Sequence, residues 1–206
     1  MSIKCFLYIS AFLQCLSCTN IFILQGNVIK QQQSVTDSLP FSDPILDSIV
    51  KTNTLIIGYA DSSTYIYRPI NYYLVGFKAD KVTSYVYKKN KVVVNDQKSY
   101  ELSTRPLNNK VGKAILSTFL KNEGWNINYD DTKSPSLFCP NKEVGLRECN
   151  ISDGKTSLLY VITKGRIKVS KFYEPMYFEQ ECCPGNSDRK HFLEIIKPIQ
   201  KAFIPK

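Results

Sequence analysis

Residues 71–88 read NYYLVGFKADKVTSYVYK, and their pattern decides the fold. Two runs rich in tyrosine and β-branched residues, Asn71 to Phe77 and Val82 to Lys88, flank the polar segment Lys78-Ala79-Asp80-Lys81. So short a break between two β-rich runs predicts a hairpin of antiparallel strands, because a tight turn cannot join parallel ones. With a side-chain period of two, Tyr73, Val75 and Phe77 share a face on the first strand, and Thr83, Tyr85 and Tyr87 share one on the second.

The same pattern extends in both directions. Thr54 to Tyr59 and Tyr65 to Tyr67 read as strands before the hairpin, the latter ended by Pro69. Lys91 to Val94 and Ser99 to Ser103 flank Asn95-Asp96, and Leu158 to Thr163 and Arg166 to Tyr173 flank Lys164-Gly165. Ser42 or Asp43 is placed to cap a short helix with Pro44 in its first turn and a stripe of Ile45, Leu46, Ile49 and Val50. Asn108 or Asn109 caps a second helix running to Asn122, with Gly124 as its stop. A third opens at Asn186-Ser187 and carries Phe192, Ile195, Ile196, Ile199 and Phe203 at helical spacing, with Pro198 expected to kink or end it. Residues 125–155, with Pro135 and Pro140, read as loop. The expected fold is α+β: an antiparallel meander of six to eight strands, two longer helices and one short N-terminal helix.

Lys4 is the single charge in the first 29 residues, and an apolar stretch from Cys5 to Leu24 follows it. A basic start before an apolar run is the layout of a secretory signal. Residues 1–24 are therefore expected to be a signal segment, 25–42 a polar tether and 43–206 a single domain. Three endings fit the signal. Leu16-Ser17-Cys18 places a small residue before a cysteine, as in lipoprotein signals, which makes Cys18 the lipid-anchor candidate. Cys15 stands where those signals usually have leucine, and apolar Ile21 to Leu24 follows where a tether is usually polar. The other endings are ordinary cleavage near residues 17–26, and an uncleaved helix spanning the roughly 30 Å hydrocarbon core.

Outside the signal, Cys139, Cys149, Cys182 and Cys183 are disulfide candidates, and an export compartment favours pairing. A vicinal Cys182–Cys183 bond is strained, so bridges between the 139–149 region and the 182–183 segment are geometrically easier. The spacing of these four does not match a structural zinc site, and a lone His191 excludes a multi-histidine one, so no metal or cofactor is expected. His191 follows Cys182 and Cys183 closely enough to raise a thiol or hydrolytic enzyme as the alternative function. No GxSxG elbow, phosphate-binding glycine loop or dinucleotide fingerprint occurs. Glu179 and Glu181 read as decoration of an exposed strand face.

The chain has 27 basic and 18 acidic side chains, a net charge of +9, in an ordinary globular composition of 43% hydrophobic residues. Lys88, Lys89 and Lys91 form one small cluster, and Lys164, Arg166, Lys168 and Lys171 another. No long lysine or arginine run marks a nucleic-acid arm, so no nucleic-acid partner is expected. Eight tyrosines from Tyr59 to Tyr100 crowd the strand region. Beside basic residues they suggest a binding face of Tyr73, Tyr85, Tyr87, Lys88 and Lys89 for an acidic glycan or an envelope protein.

A cysteine-ended signal, a polar tether, a Tyr/Lys-rich meander, a closing helix and the tail FYEPMYFEQECCPGNSDRKHF (172–192) together resemble small uncharacterised exported proteins and lipoproteins of the Bacteroidota. The resemblance is one of style over the whole chain and implies localisation alone. The expected function is a non-catalytic, membrane-anchored envelope protein, in the periplasm or at the outer membrane; simple secretion is the alternative location.

Overall fold

The structure, a computed structural model, describes residues 21, 23–28, 44–63, 70–90, 100–128, 136–141, 145–151, 154–163 and 166–203, with the backbone alone for 63, 136–141 and 145–150. The expected strands at 65–67 and 91–94 and the signal residues up to 20, with Cys18, lie outside this set.

The fold is α+β. Strands β1 (Leu55–Ser63), β2 (Ile70–Lys78), β3 (Lys81–Lys89) and β4 (Tyr100–Pro106) form a meander, and β7 (Lys155–Thr163) and β8 (Arg166–Tyr173) add a hairpin beside β1. The order is β4-β3-β2-β1-β7-β8, and every ladder in the sheet is antiparallel. Between β4 and β7 the region read as loop holds a separate ribbon of β5 (Ser136–Asn141) and β6 (Gly145–Asn150). Pro140 and the short alternation hid it, since prolines demote a strand reading and an edge ribbon tolerates them.

Helices α1 (Pro44–Thr52), α2 (Asn109–Lys121) and α4 (Ser187–Phe203) supply the covering layers. Residues from α2 and α4 form the larger core with Leu55, Ile57, Val75, Phe77, Leu159 and Val161 of the sheet. The opposite face packs Leu46 and Ile49 of α1 onto Ile56, Tyr72, Leu74, Tyr87 and Ile162. Such a two-faced sheet follows from the sequence alternation: odd positions of β1 and β2 meet the long helices, even positions meet α1.

Three local expectations change. Helix α4 runs through Pro198 to Phe203 instead of ending there, because Ile195, Ile196, Ile199 and Ala202 are buried on both sides of the proline. At the end of α2, Glu123 takes the left-handed conformation (φ 48°), and Gly124 serves another need: a Cβ there would collide with the Phe119 ring. The largest change is at the N-terminus. Residues 21 and 23–28 are helical, and Ile21 and Val28 are fully buried in the larger core. Gln25 donates from Nε2 to the Ala79 carbonyl at 2.9 Å, and Trp125 donates from Nε1 to the Val28 carbonyl. This helix crosses the expected boundary between signal and tether at 24/25, so residues 25–28 belong to the domain. A polar residue such as Gln25 looks like tether by composition; only its partners show that it is core. Among the described residues no helix is long and apolar enough to cross a membrane.

Candidate functional site

The segment after β8 builds the site. Glu174 takes a left-handed turn (φ 38°), and Pro175 then starts the single turn α3 (Pro175–Tyr177). A π turn, Phe178–Cys182, continues it, closed by Cys183 N–H donating to the Phe178 carbonyl five residues back at 2.7 Å. Phe178 and Cys182 are buried against Ile151, Tyr173 and Tyr177. The chain reverses at Pro184 and Gly185 (φ 108°), and Asn186 opens α4 by accepting from the Arg189 N–H at 2.8 Å. The turn and the helix thus lie side by side.

Their contact is ionic and nearly dry. Glu179 and Arg189 side chains are 11% and 2% exposed, with Oε2 and Nη1 3.6 Å apart. Arg189 also donates to the Cys183 carbonyl at 2.7 Å and sits 5.7 Å above the Phe178 ring. Glu179 Oε1 accepts from the Gly185 N–H at 3.0 Å and lies 3.6 Å from the Lys190 ammonium. Among the described residues Oε2 has no hydrogen-bond partner. Glu179 is therefore the polar centre of the turn, not strand decoration. Nothing in the sequence pairs it with Arg189; the π turn brings them together, and π bulges recur at functional sites.

Glu179 and Lys190 also line a cavity of about 690 Å³ between the turn and α4. Its apolar lining comes from Met176, Leu193 and Ile196, and Glu179, Lys190, Glu194 and Lys197 add two charges of each sign. Gln200 also lines it and hydrogen-bonds Tyr59, whose hydroxyl is raised well above the usual tyrosine range by burial.

The five residues expected to form a sheet-binding face do not share one. Register pairs Tyr72 with Tyr87 and Tyr73 with Val86, so Tyr73 and Lys88 lie on the side of α2 and α4, opposite Tyr85, Tyr87 and Lys89 on the side of α1. Tyr73 stacks on Tyr59 (4.9 Å) and meets Phe203 edge-on, and Lys88 bridges to Glu101 at 3.5 Å. Tyr87 is 1% exposed and stacks on Tyr72, which in turn contacts Tyr160. Most of the tyrosine crowding is cross-strand packing.

Among the described residues no cysteine pair is at disulfide distance, although Cys182 and Cys183 are each disulfide-bonded. Backbone register sets Cys139 opposite Arg147 and Cys149 opposite Leu137, which makes positions 139 and 149 diagonal neighbours on the ribbon. The β6 backbone approaches the π turn that holds Cys182. His191 is half-buried on α4 and is outside the cavity lining. No described group of three histidine, cysteine or acidic residues could hold a metal.

No family model matches this chain, and neither a curated protein nor a solved structure matches it significantly.

Proposed function

We propose that this chain is an exported, lipid-anchored, non-catalytic protein of the cell envelope that binds a peptide segment of a protein partner between the π turn and α4. The cavity carries the reading. Its volume of about 690 Å³ falls in the range of ligand sites, and a lining that mixes Met176, Leu193 and Ile196 with charges of both signs suits an apolar side chain flanked by charged groups. An acidic glycan has less support, since the lysines and tyrosines that suggested it are divided between two faces.

The helical residues 21 and 23–28, with Ile21 and Val28 buried, support an anchor at Cys18. Cleavage beyond residue 21 would remove Ile21 from the core, whereas processing at Cys18 leaves these residues in place and holds the domain close to the bilayer. Bridges from Cys182 and Cys183 to Cys139 and Cys149 fit the approach of β6 to the π turn, and both Cys182 and Cys183 are engaged. The thiol-enzyme alternative has less support, because Cys182 is buried and both cysteines are disulfide-bonded, which leaves no thiol to act.

The test places a photo-crosslinking residue at Met176, on the exposed rim of the cavity. In intact cells the expected result is one discrete protein adduct in the membrane fraction. It should disappear when Glu194→Lys and Lys197→Glu are introduced together. An adduct pattern that ignores those substitutions, or no adduct, removes the reading.

A further inference from the structure

β4 closes one side of the sheet, and among the described residues β3 is its one ladder partner. Every residue of β4 is exposed, including Tyr100 (42%) and Leu102 (43%). The hydrogen-bond phase of this strand follows from one bond: Leu107 N–H donates to the Val82 carbonyl at 2.8 Å, one step beyond the Thr83–Pro106 pair. Bonded and non-bonded pairs alternate in an antiparallel ladder. Glu101, Ser103 and Arg105 therefore bond to β3. The N–H and C=O groups of Tyr100, Leu102 and Thr104, and the carbonyl of Pro106, face outward.

Proteins usually protect such an edge with charge or proline. β4 has both, but arranged self-complementarily: Glu101 and Arg105 have opposite signs and flank Ser103 symmetrically, and Pro106 lies at the strand end. We propose that two copies of this chain pair antiparallel through β4, about a two-fold axis at Ser103, and so continue the sheet from one copy into the next. In this register Glu101 faces the partner's Arg105 across a close, non-hydrogen-bonded site. Leu102 and Thr104 exchange backbone bonds with the partner's Thr104 and Leu102. The Tyr100 N–H meets the carbonyl of the partner's Pro106, where a missing donor costs nothing, and its ring covers the pyrrolidine. Shifting the axis to Leu102 sets Glu101 against serine and loses both ion pairs, so charge selects the Ser103 register.

Existing contacts do not compete. Glu101 makes an exposed bridge to Lys88, and Arg105 donates from Nη2 to the Ala202 carbonyl with further guanidinium donors to spare. Leu102→Pro is a clean disruptor, since it deletes an outward donor and leaves the β3 ladder intact.

The experiment uses the full chain. Ser103→Cys sits on the axis, where the cross-strand Cα separation of about 4.5 Å is within disulfide reach. Mild oxidation should give a reducible covalent dimer that wild type does not give, and adding Leu102→Pro should abolish it. In sedimentation, Glu101→Arg and Arg105→Glu should each weaken the dimer roughly tenfold, and the double swap should restore it. A chain that stays monomeric to about 100 µM, a Ser103→Cys chain that forms no covalent dimer, or a double swap that fails to rescue would each overturn the proposal. Binding of a foreign strand by a monomer would overturn it equally.

Discussion

At the scale of single residues, two tyrosines couple stability to alkaline pH. Burial, reinforced by Tyr72, raises the Tyr160 hydroxyl well above its ordinary range, and burial beside Asp61 and Tyr73 does the same for Tyr59. In the unfolded chain both lose their protons near pH 10. Above that pH the folded state holds protons that the unfolded state has released, so stability falls as pH rises and is complete below it. Urea midpoints measured from pH 8 upward should therefore be flat and then decline above about pH 10. Tyr160→Phe should make that decline shallower, because the ring remains and the titrating group is gone.

At the scale of elements, a buried amide adds a polar tie to the apolar docking of α1 on the sheet. Asn53 donates from Nδ2 to the Ile49 carbonyl (2.8 Å) and to the Tyr85 hydroxyl (3.0 Å), so the end of α1 is tied both to itself and to β3. Gly76 on β2 leaves the space for it: a Cβ there would overlap the Asn53 side chain. Gly76→Ala should therefore lose about 1–3 kcal/mol through overpacking and a displaced buried amide. Thermal unfolding would measure the loss, and Gly26→Ala, where a Cβ meets nothing within 4 Å, is the control. The large core beneath α2 and α4 should keep its near-ultraviolet signal in the variant, since Trp125 packs there against Phe119.

At the scale of the whole molecule, the helical residues 21 and 23–28 are bound into the core. Ile21 and Val28 are fully buried, and Gln25 holds the β2–β3 turn through the Ala79 carbonyl. Burying each of these aliphatic side chains contributes about 1.5–3 kcal/mol, a large share of the stability of an ordinary domain. A chain beginning at Thr19 should fold cooperatively. One beginning at Ile29 should show a strongly lowered melting temperature, or no cooperative transition, in calorimetry.

The antiparallel hairpin at 71–88, the α2 cap at Asn108, the opening of α4 at Asn186 and the apolar stripes of α1 and α4 were legible because each depends on neighbours within a few positions. Local chemistry alone determined the α+β class. The tertiary structure decided the rest. Whether Tyr73 and Tyr85 share a face depends on register between strands, and a single-residue offset reverses the answer. Whether Gln25 is tether or core depends on Ala79, Thr54 and the helix around it. Glu179 and Arg189 meet because a π turn and a reversal at Gly185 fold the chain back on itself, and neither carries a periodic signal. Periodicity encodes which side of an element is buried; it contains no information about which distant group, charge or backbone edge that side will meet.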